Sequence, residues 1–249
     1  MKPHKIEWTE QTWNPTKGCT KISAGCKNCY AETMAMRLQA IGVKGYENGF
    51  KFDIVPDRLK EPLKRKKPTM YFVNSMSDLF HEQMPIDYLN KIMEVIKQTP
   101  QHTYQILTKR ANRMLKYFSN RNIPDNVWLG VTVENKKEGL PRIEYLRKLQ
   151  ASVLFLSMEP LLEDLGKIDM TNIDWVIVGG ESGPKARPMD KQWVLNIKAQ
   201  CEQQNVAFFF KQWGTWGADK IKRNKKANGK TLDGKIWQQI PNTTVLHVD

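Results

Sequence analysis

Val127-Trp128-Leu129-Gly130-Val131-Thr132-Val133 carries no charge and ends abruptly at Glu134 and Asn135. It is rich in β-branched and aromatic side chains and apolar nearly throughout. A strand that is half-exposed alternates apolar with polar. One that does not is covered on both faces, as in a parallel sheet. Working outward, the same texture recurs at Thr69 to Asn74, Thr103 to Leu107, Val153 to Ser157, Trp175 to Val178 and Val206 to Phe210. Helix-like segments lie between them, over 31–41, 85–98, 110–119, 140–149 and 190–204, one opening with Pro85 in its first turn. A further strand near Thr12 to Asn14 leads into a cysteine-rich loop. Strand–helix alternation over this length predicts an α/β fold: a partial parallel (β/α) barrel of about six or seven strands with a C-terminal extension.

The chain has 249 residues, with 39 Lys+Arg against 26 Asp+Glu, a formal charge of +13. That balance favours a polyanionic partner, a nucleic acid or nucleotide, although a basic surface alone also satisfies it. No apolar run approaches the roughly 18–20 residues that span a bilayer, so no membrane partner is expected. The polar start, Met1 to Trp8, does not read as a secretory signal, and a cytoplasmic location is expected. The barrel is expected over 1–213 and a basic extension over 214–249. The chain from Trp213 onward reads WGTWG over 213–217, then a Lys/Arg-rich stretch from Lys220 to Lys230 and a short apolar end. It reads either as a substrate-binding flap or as a solvated tail.

Three of the four cysteines fall within eleven residues, in Gly18-Cys19-x6-Cys26-x2-Cys29-Tyr30-Ala31-Glu32. In a reducing compartment such crowding points to metal rather than disulfides. Three thiolates on a Gly-containing loop can hold three irons of a [4Fe–4S] cubane. The fourth iron, lacking a protein ligand, can then take the amino and carboxylate groups of S-adenosylmethionine. Zinc with a remote fourth ligand is the alternative; the neighbouring sequence offers no fourth Cys or His.

This loop resembles the cluster loop of the radical S-adenosylmethionine superfamily. The usual spacing there is C-x3-C-x2-C, so this loop is three residues longer between its first two cysteines. The residue before the last cysteine is commonly aromatic in that superfamily; here it is Asn28, and Tyr30 follows as the aromatic candidate for the cofactor. From about Trp13 to Trp213 the chain looks most like a phage-associated group of three-cysteine proteins of unassigned function, and at greater distance like spore-photoproduct-lyase-like enzymes. The resemblance implies reductive cleavage of S-adenosylmethionine to a 5′-deoxyadenosyl radical, fed by a cellular electron donor.

The strand ends then become candidate ligand contacts, because ligands sit beyond the carboxyl ends of parallel strands. Ser75, Ser77 and Asp78 resemble a strand end that helps hold the methionine amino group in lyase-like radical enzymes; a helix cap explains Asp78 equally well. Lys109 is a candidate for the carboxylate, and Thr132, Glu134 or Asn135 for the ribose. Ser157 and Glu159 share the same rim. Gly179 and Gly180 permit close approach of a ligand, or simply make a turn. Lys185 and Arg187 are candidates for a substrate phosphate, and Lys211, Trp213 and Trp216 for base stacking beside positive charge. The expected activity is modification or repair of a nucleic-acid base or nucleotide. A radical enzyme of peptides or small metabolites, and a non-catalytic metal-stabilised nucleic-acid-binding protein, are the alternatives. A second basic run, Lys60 to Lys67, precedes a strand and belongs to the opposite end of the barrel.

Overall fold

The apolar runs assemble into one seven-stranded sheet in which every neighbouring pair is parallel. The computed structural model describes residues 6–241. In chain order the strands are β1 (Gln11–Trp13), β2 (Thr16–Lys17), β3 (Asp53–Ile54), β4 (Met70–Val73), β5 (Thr103–Thr108), β6 (Val127–Thr132), β7 (Val153–Met158), β8 (Trp175–Gly179), β9 (Ala207–Gln212), β10 (Thr231–Leu232) and β11 (Lys235–Ile236). The helices are α1 (Tyr30–Ala40), α2 (Ile86–Lys97), α3 (Ala111–Phe118), α4 (Leu140–Leu146), α5 (Lys191–Gln203) and the short α6 (Lys225–Asn228). The large sheet runs β1-β4-β5-β6-β7-β8-β9 and does not close, so the expected partial barrel is what forms. The pairs β2–β3 and β10–β11 are two small antiparallel ribbons that the apolar pattern does not announce.

The doubly apolar strands follow from two separate cores. Tyr71, Val73, Ile106, Leu129, Val131, Leu154, Leu156, Val176, Val178, Phe208 and Phe210 face the helices and share their core. The alternate residues Phe72, Trp128, Phe155, Trp175, Ile177 and Phe209 form a second cluster, closed by Trp8. Period-two alternation puts this set on the other face of the sheet, the inside of the half-barrel. There Trp8 lies edge-on to Phe72 and Trp175 at centroid distances of 4.7 and 6.1 Å. Gly130 is required by this packing, because any Cβ there would strike the Phe155 ring. Burying each such side chain contributes about 1.5–3 kcal/mol.

Helix α2 shows why the outer layer forms. Tyr88, Leu89, Ile92, Met93, Val95 and Ile96 make a buried stripe at helical spacing, and Pro85 occupies its N-cap, one position before the first helical turn. Among the described residues no helix is long and apolar enough to cross a membrane.

Residues after Trp213 pack on the barrel. Leu232 is fully buried in the main core. The Phe210 amide donates to the Trp237 carbonyl at 2.7 Å and the Gln239 amide to the Phe208 carbonyl at 3.1 Å, so this segment covers the free edge of β9. A wholly solvated tail is therefore not what the described part shows; the apolar end beyond residue 241 lies outside the described residues.

Candidate functional site

The Cys19–Cys29 loop lies at the carboxyl ends of the strands, entered through Gly18. Gly18 has φ +73°, and a Cβ on it would collide with the Lys51 carbonyl. Its amide donates to the Met76 carbonyl at 2.9 Å and that of Cys19 to the Phe50 carbonyl at 3.1 Å. This pins the first cysteine to the β4 end on one side and to the 43–52 loop on the other.

Three carboxylate–arginine pairs, at the ends of β4, β6 and β8, grip the rest of the loop; the first two are buried, while in the third Glu181 is buried and Arg187 half-buried. After β4, Asp78 accepts from Arg110 Nη1 at 3.0 Å, Thr108 Oγ1 at 2.7 Å and the Lys109 amide at 3.2 Å. Arg110 in turn donates to Cys19 Sγ at 3.5 Å, to Thr20 Oγ1 at 2.8 Å and to Glu82. After β6, Glu134 is wholly buried, bound by Arg142 Nη1 at 2.5 Å, and receives the Ser23 hydroxyl. Gly25 passes closely over it: a Cβ there would sit 3.1 Å from the Glu134 side chain, which would have to give a little. After β8, Glu181 binds Arg187 and accepts from Asn28 Nδ2 at 3.0 Å, while Arg187 Nη1 reaches the Ala24 carbonyl at 3.0 Å. In the first two pairs each charge is buried with its opposite, so removing one partner would strand the other.

The electrostatics follow from these contacts. Burial and the nearby Asp78 push the Cys19 thiol up to about 11, against the opposing pull of Arg110. Burial also acts against ionisation of Cys26, but Lys109 and hydrogen bonds from the Ile22–Ser23 segment outweigh it and hold that thiol below its ordinary value. Burial alone would raise Glu134; Lys109, Arg142 and Ser23 together hold it below the usual carboxylate range. Glu82 is drawn down to about 2, chiefly by its hydrogen bonds to Arg110.

The donor chemistry fits an iron–sulfur cluster. Cys19, Cys26 and Cys29 are free, partly exposed thiols, whereas Cys201 is buried on α5 against Met170. Among the described residues no three Cys, His, Asp or Glu side chains converge as ligands of a single ion would. A cubane asks something different, because its three thiolates sit on three different irons.

Several expected contacts take other places. Asp78, Ser75 and Ser77 are already committed: Asp78 as above, Ser75 to Asn14 Oδ1 at 3.1 Å and Ser77 to Thr16 at 2.9 Å. Glu134 lies beneath the loop rather than open to a ribose, because Arg142 and Ser23 occupy its oxygens. Arg187 is spent on Glu181 and Ala24 instead of waiting for a phosphate. Trp213 is buried against Phe210, with Nε1 on the Thr231 carbonyl, so it offers no stacking face. Gly180 serves packing, since a Cβ there would strike the Trp213 carbonyl, and Gly179 makes room for the Glu159 carboxylate.

Other candidates stay near the mouth of the half-barrel. Lys109 Nζ lies 3.4 Å from Thr132 Oγ1 and has no carboxylate ion pair among the described residues. Glu159 pairs with Lys211 at 3.1 Å, and Ser157 is buried beside them on the inward register of β7. Tyr30 opens α1 and is 56% exposed. Lys185 is exposed, and Trp216 is half-buried with Nε1 on the Ala186 carbonyl at 2.7 Å.

Sequence reasoning missed Asn74. It is 4% exposed, and neither its Oδ1 nor its Nδ2 has a hydrogen-bond partner. Its spacing from Met70 and Phe72 gave the signal: two residues past each inward position comes another, just beyond the end of β4. An orphaned buried amide costs about 1–3 kcal/mol per group, so it marks a place where a ligand would be accepted.

These features define an α/β partial-barrel protein with a clamped three-thiol loop over the strand ends. The chain belongs to the family described as "Protein of unknown function (DUF5131)", whose model matches residues 3–241. No curated protein matches it. Among solved structures it is similar to a spore photoproduct lyase mutant with bound AdoMet and dinucleoside spore photoproduct, at 12% identity and TM-score 0.41, covering 68% of this chain and 55% of that one. A second spore photoproduct lyase mutant gives 13% identity and TM-score 0.43, covering 73% and 60%. The chain thus spans little more than half the length of those lyases.

Proposed function

We propose that this protein is a radical S-adenosylmethionine enzyme whose [4Fe–4S] cluster is held by Cys19, Cys26 and Cys29. The observation that carries the reading is the set of three free thiols on one loop, clamped from below by three carboxylate–arginine pairs. When bound, the cluster supplies the electron, taken from a cellular donor, that splits the sulfonium into methionine and a 5′-deoxyadenosyl radical. The chain's own part is to fix the loop and orient the cofactor. Arg110, Ser23, Asn28 and Arg187 hold the loop backbone and Cys19 in place, so little ordering remains when ligands bind. Asn74 offers an acceptor and two donors to the amino-acid end of the cofactor, and Lys109 a cation to its carboxylate. Thr132 and Ser157 supply hydroxyls on the same inward register. The aromatic layer of Trp8, Phe72, Trp128, Phe155 and Trp175 closes the floor and keeps water from entering from below.

Anaerobic reconstitution tests the cluster: about four irons and four sulfides per chain are expected. Stoichiometric zinc without iron would contradict it.

Asn74→Gly separates a ligand contact from a structural one. Asn74 has φ +62°, which glycine adopts without strain, and its amide is unpaired. The variant is therefore expected to be as stable as the parent or about 1 kcal/mol more stable, with iron unchanged. Its affinity for S-adenosylmethionine, by calorimetry, is expected to fall about tenfold, the loss of roughly one good hydrogen bond. A variant that is destabilised and binds as before would make Asn74 structural.

A further inference from the structure

We infer that the substrate is a nucleic-acid strand with unpaired bases, held on a basic track running from the cysteine loop onto the C-terminal arm. The inference deepens the radical-enzyme reading and rests on it for the chemistry, though not for the binding.

The track can be followed by contacts from the cysteine loop to Lys222, and from there along the chain to α6. It begins at Lys27, exposed in the cysteine loop itself. The next residue, Asn28, donates to the Lys185 carbonyl at 2.9 Å, which sets exposed Lys185 beside the loop. The preceding Pro184 carbonyl accepts Lys222 Nζ at 2.7 Å, and the same ammonium lies 5.8 Å from the centre of the Trp216 ring. Lys225 and Lys226 follow on α6, whose start is fixed by Asn224 accepting from the Lys226 and Ala227 amides. Thr215 joins arm to barrel: its amide donates to the Glu181 carbonyl at 2.9 Å and its Oγ1 accepts from the Gly183 amide at 2.9 Å. The arm therefore rests on the loop that carries Glu181 and Arg187, the third clamp on the cysteines.

Position beside the cysteine loop separates this track from the rest of the basic surface, and within the arm pairing sorts its cations. Lys220, Arg223 and Lys230 of the arm are neutralised by Asp190, Asp219 and Glu7. Lys27, Lys185, Lys222, Lys225 and Lys226 have no carboxylate ion pair among the described residues. Five lysines without a carboxylate partner, with Lys222 set 5.8 Å from a partly exposed indole, suit phosphates and an unstacked base. The other basic run, Lys60 to Lys67, leads into β4 and so lies at the opposite end of the strands.

The test is binding of a labelled single-stranded oligonucleotide to the reconstituted protein, read against salt. The track variant Lys185→Glu/Lys225→Glu/Lys226→Glu is compared with Lys64→Glu/Lys66→Glu/Lys67→Glu, which changes the charge equally at the far end. The track variant should lose about tenfold or more in affinity, and its slope of log affinity on log salt should be shallower by about two. The far-end variant should stay within about twofold of the parent. Both should keep their iron and their substrate-free cleavage of S-adenosylmethionine. Lys225→Gln/Lys226→Gln, a milder change, should show a smaller loss in the same direction. Equal losses in the two charge variants, no oligonucleotide binding at low salt, or equally tight binding of heparin would overturn the inference. Oligonucleotide binding by a protein that takes up no iron would sink the radical reading alone. Iron and cleavage without oligonucleotide binding would sink this inference alone.

Discussion

Alanine in place of Cys19, Cys26 or Cys29 is expected to remove the iron from the anaerobically reconstituted protein altogether. In the proposed cluster each thiolate would hold a different iron, and the loop carries no further cysteine to replace one. The fourth cysteine cannot stand in, because Cys201 is buried on α5, 3.8 Å from the Met170 sulfur. Cys201→Ala should accordingly keep full iron, losing only about 1 kcal/mol of stability for a small core deletion. Iron analysis and visible absorbance of the four variants decide the point. Full iron in a Cys19, Cys26 or Cys29 variant, or none in the Cys201 variant, would reassign the ligands.

The second large effect is expected beneath the loop. Arg142→Met leaves Glu134 buried at 0% exposure without its ion-pair partner, with only cations at longer range such as Lys109 still acting on it. Breaking such a pair costs about 3–5 kcal/mol, far more than a surface ion pair. The double variant Glu134→Gln/Arg142→Met should recover much of that loss, because no charge is then stranded. It should not recover iron uptake to the same degree, since the loop's Ser23 no longer meets a carboxylate. Urea unfolding gives the first quantity and iron content the second. The pair also sets a pH dependence. Glu134 is held below its unfolded value, so its contribution is present at neutral pH and fades as pH falls through the folded value. If Arg142→Met unfolds at the parent's urea midpoint, the clamp is not carrying the loop.

Much of the architecture was legible because the physics is local. Runs such as Val127–Val133 are apolar on both faces, and helices such as α2 and α5 show their stripe or cap in the sequence. The short β2–β3 and β10–β11 ribbons were not, since two-residue strands leave no periodicity to read. The cysteine loop was legible from spacing alone. What supports it was not: nothing in the sequence joins Glu134 to Arg142, or Arg187 to Ala24, because those contacts exist only once separate strand ends meet. Asp78, Glu134, Glu181 and Arg187 therefore looked like open ligand contacts or went unread, when the fold uses them to hold the loop. Trp213 looked like a platform because an indole beside lysines is ambiguous until its burial is known. Asn74 could have been found by counting two from Phe72.

The central claim is most directly tested by incubating the reduced, reconstituted protein with S-adenosylmethionine under anaerobic conditions and measuring 5′-deoxyadenosine. The account predicts its slow formation without substrate, abolished in the Cys19, Cys26 and Cys29 variants and preserved in Cys201→Ala. A protein carrying its full complement of iron that binds S-adenosylmethionine and yields no 5′-deoxyadenosine, with or without oligonucleotide, would contradict it.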